Sequence, residues 1–133
     1  MIKILIVVAI LWSMAAICNA IMDVLAFKFK TSIFRKLNPY WWNPAKSWRN
    51  KYKDQVISKG PAFPGSTTVF SFVTDAWHLF QFLSNSFLAL SVVVVIGSFN
   101  NLNLLQCLAI FLALKVIWGV VFETFYGYLF RKR

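Results

Sequence analysis

The chain has 133 residues, of which 59% are hydrophobic, 18% aromatic and only 14% charged. A soluble domain of this length cannot bury so much apolar side chain, disorder is excluded by the hydrophobicity, and two cysteines are too few for a disulfide scaffold. The charges are one-sided, 14 Lys+Arg against 4 Asp+Glu for a net of +10, yet a soluble nucleic-acid binder has no need of so apolar a core.

The composition is that of an all-α integral membrane protein built as a single membrane domain. A bilayer core takes roughly 20 apolar residues to cross, and lipid offers backbone groups no partner outside a helix. The first such stretch covers residues 4–26, interrupted only by Ser13, Asn19 and Asp23. Lys3, the apolar run and Cys18-Asn19-Ala20 also fit a cleaved signal peptide. The run is long for that role, and cleavage would send the basic segments outward, so an uncleaved anchor is expected. Bulky Ile17 before Cys18 argues against a lipoprotein site.

Residues 28–65 form the next segment. Lys28, Lys30, Arg35, Lys36, Lys46, Arg49, Lys51, Lys53 and Lys59 are opposed only by Asp54, a local net of +8. Asn38-Pro39 is expected to stop any helix continuing from the first span. Asn43 and Pro44 suit an N-cap and first helical position. From there Ala45, Trp48 and Tyr52 recur at helical spacing, with Lys46, Arg49, Asn50 and Lys53 on the remaining faces. The pattern predicts an amphipathic helix in the headgroup plane, binding anionic lipid through Trp41, Trp42, Lys46, Trp48, Arg49, Lys51 and Lys53. Ser66-Thr67-Thr68 are expected to cap the second span.

The second span is expected over residues 76–98 and the third over 104–126, joined by an uncharged turn holding Asn100, Asn101 and Asn103. Lys/Arg-rich short loops stay on the cytoplasmic side. With Arg131-Lys132-Arg133 at the other end, three crossings predict an outside N-terminus, with loop and C-terminus inside, in the inner (plasma) membrane. Gly119 would permit close helix approach. Lys115 lies about 16 Å down the third span and is expected to face Asn85 or the Ser84/Ser86 region. Cys18 and Cys107 fall at different depths, too far apart for a disulfide.

The rare acids carry the sharper expectation. Asp23 and Glu123 each fall about 28 Å from their span starts at Ile4 and Leu104, near the inner edge of a roughly 30 Å core. Asp75 and His78 enter from the same side, and Asp75, His78, Gln81 and Asn85 would form one polar stripe. Such a cluster suits a lipid-phosphate hydrolase using Asp75, His78, Asp23 and Glu123, either by acid–base chemistry or around a divalent metal on Asp23, Asp75 and His78. No cofactor is fixed by the sequence. Asp75 equally suits a helix N-terminus by charge alone.

Asn19-Ala20-Ile21-Met22-Asp23, Ser32-Ile33-Phe34, Leu37-Asn38-Pro39, Trp42-Asn43-Pro44 with Ser47 to Lys53, Phe63-Pro64-Gly65-Ser66-Thr67-Thr68 and Thr74-Asp75-Ala76-Trp77-His78 resemble signatures of a group of small uncharacterised bacterial integral membrane proteins. The resemblance spans roughly residues 19–80 and implies no activity. Three roles stay open: a lipid-binding membrane protein without catalysis, the lipid-phosphate hydrolase, and a holin-like or pore-forming homo-oligomer. Nucleic acid is not an expected partner.

Overall fold

A computed structural model describes residues 1–125, apart from the side chain of Glu123. Three long helices carry the chain: α1 (Ile2–Phe27), α4 (Ala76–Asn100) and α5 (Leu104–Glu123), with α2 (Pro39–Trp42) and α3 (Pro44–Ser47) as single turns between the first two. Each long helix contains a stretch apolar enough to cross a bilayer, which makes this a multi-pass membrane protein. The expected end of the third span at residue 126 and the basic tail 131–133 lie outside the described residues.

Helix α1 contains neither Gly nor Pro, so nothing in it breaks the hydrogen-bond ladder. Its buried positions are Leu11, Ala15, Cys18, Met22 and Leu25, alternating steps of four and three. That spacing confines burial to one stripe of the helix. The rest of α1 exposes residues such as Leu5, Ile10, Trp12 and Ile17, as a lipid-facing surface requires.

Packing divides the chain into two compact units, Met14–Ser84 and Met1–Ser13 with the chain from Asn85 onward. In the first, Ser84 Oγ donates to the Ala15 carbonyl at 3.1 Å. Two small residues thus meet where the backbones come close, as at other membrane helix contacts. In the second, Trp12 Nε1 donates to Ser91 Oγ at 3.2 Å, and that hydroxyl donates to the Leu88 carbonyl. Also there, Lys115 Nζ donates to Ser86 Oγ at 3.1 Å, in the region the sequence indicated.

The turn from α4 to α5 is made by asparagines. Asn101 adopts φ +51°, and Leu102 N–H reaches back to the Gly97 carbonyl at 3.2 Å, the closing bond of a left-handed helix C-cap. Asn103 then caps α5: its side chain accepts from Gln106 N–H while the Gln106 side chain accepts from Asn103 N–H. Close approach occurs at Gly97, where an added Cβ would lie 3.0 Å from Cys107 Sγ. Gly119, expected to serve that purpose, faces open space. Cys18 and Cys107 are free thiols.

The segment between α1 and α4 departs from a continuous amphipathic helix. α3 starts at Pro44 as expected, with Asn43 Oδ1 accepting from Ala45 N–H at 3.1 Å. It lasts one turn before a tighter 3₁₀ turn, Trp48–Lys51, and an extended Tyr52. The cause is the returning chain. The Lys51 carbonyl accepts from Ala62 N–H at 2.9 Å and from Ser66 Oγ at 2.7 Å, and Lys53 N–H donates to the Gly60 carbonyl. An acceptor so engaged is withdrawn from the helical ladder. Asn38 also acts differently from expectation. α1 has already ended at Phe27, and Asn38 caps α2 by accepting from Tyr40 N–H at 2.9 Å.

Candidate functional site

Helix α4 begins at Ala76, and its cap is Asp75. Of the expected caps, Ser66 is fully buried on Lys51 and Thr68 Oγ1 donates to the Gly65 carbonyl. Asp75 Oδ1 accepts from His78 N–H at 3.0 Å, the bond an N-cap carboxylate makes to the third helical residue. Oδ2 meets His78 Nδ1 at 2.7 Å and accepts from Thr74 Oγ1 at 3.2 Å. The same Thr74 hydroxyl lies 2.6 Å from the Ser71 carbonyl, so its one proton is shared between the two acceptors. Asp75 is 1% exposed, while the His78 side chain keeps 19% of its surface open.

This geometry fixes the chemistry of the pair. An ionised carboxylate only accepts, so the Nδ1 that faces it carries the proton. Burial by itself raises the Asp75 carboxyl; the hydrogen bonds and charge of His78, with the Thr74 hydroxyl, outweigh it and hold the group below its ordinary value. The Trp77 ring stands edge-on to the imidazole, 5.1 Å between centroids.

Asp23 does not join this pair. On α1 the buried seam takes Met22 and Leu25, which turns Asn19 and Asp23 outward, and both are exposed. Among the described residues no three His, Cys, Asp or Glu side chains are grouped to hold a metal ion. The expected Asp23–Asp75–His78 ligand set is therefore not assembled. The Glu123 side chain lies outside the described residues. Of the predicted acid cluster, the structure brings together Asp75 and His78.

The cationic segment packs on the start of α4 through its aromatics. Trp42 stacks on Phe34 at 5.1 Å and meets Phe80 of α4 at 6.1 Å, so this ring anchors the segment to the span. Trp41 and Trp48 are half-buried, and Trp48 stands edge-on to Tyr52. Lys46 lies over the Tyr40 ring and Arg49 over Trp48, 5.7 and 5.4 Å from the centroids. Lys46, Arg49 and Lys53 are exposed and Lys51 is half-buried.

Asn50 is the tie that sequence reasoning missed. Its Nδ2 donates to the Tyr40 carbonyl at 2.6 Å and to the Thr74 carbonyl at 2.9 Å. It thereby joins the segment to the residue preceding the Asp75 cap. Ser47, with no exposed surface, is the one described residue whose buried side-chain oxygen lacks a hydrogen-bond partner. Only the turn-forming character of Asn hinted at the first of these roles; nothing local signalled the second.

Comparison of the chain with known protein families, with curated proteins and with solved structures finds no match in any of the three.

Proposed function

We propose that this is an inner-membrane protein that binds anionic lipid headgroups through residues 28–59, with its N-terminus outside and that segment and the C-terminus on the cytoplasmic side. The observation that carries the reading is the charge balance of the segment. Of its nine cations only Lys59 has a carboxylate partner among the described residues, Asp54 at 2.8 Å, and that pair is itself exposed. Exposed apolar side chains such as Ile33, Leu37, Tyr40 and Ile57 are interspersed with the cations. A basic residue near an anionic leaflet contributes about 1 kcal/mol, and apolar neighbours add burial at the acyl boundary.

The test is lipid retention by the purified full chain. Wild type should keep phosphatidylglycerol over phosphatidylcholine by at least about tenfold, roughly the effect of one to two such cations. Replacing Lys46, Arg49, Lys51 and Lys53 together by Gln should remove most of that preference, as should high salt. Equal retention of the two lipids by wild type would sink the proposal. Orientation is checked separately: a C-terminal reporter should be active only in its cytoplasmic form.

The Asp75–His78 contact supports a second reading, in which His78 Nε2 takes a proton during hydrolysis of a phosphorylated lipid and Asp75 positions the ring. Phosphate release from phosphatidic acid that disappears in His78→Gln would sustain it. No release by wild type would end it.

A further inference from the structure

On α1, Asn19 and Asp23 stand about one turn apart, and both are exposed. From the middle of the apolar stretch 4–26 they lie roughly 6 and 12 Å away at the helical rise, within the half-thickness of about 15 Å of a bilayer core. Neither side chain takes part in a hydrogen bond or an ion pair among the described residues. In water that would be ordinary. In lipid an amide without a partner costs about 2 kcal/mol or more, and polar side chains at such depth face other protein or water.

The surface around the pair is equally unlike a lipid-facing one. Ala16 and Ala20, also exposed, flank Asn19. At about 100° per residue the four positions centre about 130° from the buried stripe of Ala15, Cys18, Met22 and Leu25, and so turn away from it. Other exposed positions of α1 carry large side chains, Ile10, Met14 and Ile17 among them. Alanines one turn apart let two helix backbones approach closely, which lipid chains have no use for. The polar groups then select the occupant. An amide both donates and accepts, so Asn19 is the complement of its own copy: across a two-fold axis along the membrane normal, two such residues meet at one depth, N–H to C=O. The Asp23 carboxyls meet one turn nearer the rim, where two adjacent acids share a proton instead of both ionising. We propose that α1 pairs with α1 of a second copy of this chain through Ala16, Asn19, Ala20 and Asp23, the two Asn19 amides bonded to each other inside the bilayer. The pairing goes beyond headgroup binding by residues 28–59 and does not rest on it.

The test is energy transfer between full-length chains carrying a donor or an acceptor dye at the amino terminus. They are mixed in phosphatidylcholine vesicles over a range of protein-to-lipid ratios. Transfer in wild type should exceed that of randomly placed chains and should saturate. Asn19→Leu should move half-association to a ratio about tenfold higher, the weight of one interhelical hydrogen bond in a membrane. Ala20→Leu, which holds the backbones apart, should weaken association as well. Ile17→Ala, on a neighbouring face, should leave it unchanged. All three substitutions fall on exposed positions, so none of them opens the interior of a single copy. Transfer no greater than random in wild type overturns the proposal and leaves the face to lipid. So does association undiminished in either Asn19→Leu or Ala20→Leu, which puts the contact on another surface. A loss in Ile17→Ala as large as in Asn19→Leu overturns it too.

Discussion

Asp75 unites three roles in one side chain: cap of α4, acceptor from Thr74 and partner of the His78 ring. Losing an N-cap carboxylate costs about 0.5–2 kcal/mol, and here a half-buried imidazole also loses its partner. Asp75→Ala should therefore destabilise the protein by about 2 kcal/mol in detergent unfolding, and Asp75→Asn by less, since an amide oxygen can still cap. The pH dependence follows from the lowered carboxyl. Its stabilising contribution is complete above the unfolded value of about 3.9 and is lost as pH falls through the lower folded value. Wild type should thus lose stability across that acid range more steeply than Asp75→Asn. Parallel pH curves for the two would show that the pair contributes nothing to folding. Ser47 gives the opposite expectation: its hydroxyl is buried without a partner, so Ser47→Ala should be neutral or slightly stabilising. A loss of more than about 1 kcal/mol would reveal a partner for that oxygen.

Among the elements, the segment between α1 and α4 hangs on Asn50. Removing its two bonds to the Tyr40 and Thr74 carbonyls should cost about 1–3 kcal/mol at roughly 0.5–1.5 per bond. Asn50→Ala should therefore open residues 51–70 to protease while α5 stays protected. The glycines make a second contrast. Gly97→Val has to displace Cys107 Sγ and should loosen the α4–α5 hairpin, whereas Gly119→Ala meets nothing and should gain about 1 kcal/mol of helix propensity. Equal thermal stability of the two variants would contradict this. The three long helices were legible because a bilayer demands about 20 apolar residues in sequence, a local property. The end of α3 was not, because the Lys51 carbonyl is taken by Ala62 and Ser66, contacts that exist only once the chain returns. The cap of α4 was half legible: the charge of Asp75 suited a helix N-terminus, but Ser66 looked equally fit until its hydroxyl turned inward.

For the molecule as a whole, counting residues placed the acids at one depth but said nothing of the direction each faced. That direction is set by which stripe of a helix is buried, and on α1 the seam through Leu11, Ala15, Cys18, Met22 and Leu25 leaves Asp23 outside. Depth follows from the 1.5 Å rise, whereas rotation depends on partners elsewhere in the chain. Lys115 was legible for the complementary reason: a cation so deep in a span has few polar groups within reach, and Ser86 is among them.

The Lys115–Ser86 bond also bears on how the protein enters the membrane during synthesis. A lysine at the centre of a lone helix opposes insertion by about 2.5–3.5 kcal/mol on translocon scales, enough to leave a fraction of the chains stranded. The turn from Asn101 to Asn103 is three residues long and uncharged, so α4 and α5 can enter the lipid as one hairpin with the ammonium already on the serine. Glycosylation mapping should find α5 inserting less efficiently alone than behind α4, with part of the difference lost in Ser86→Ala. The third span would then owe its place in the bilayer to the second, and the order of synthesis would be a condition of the fold.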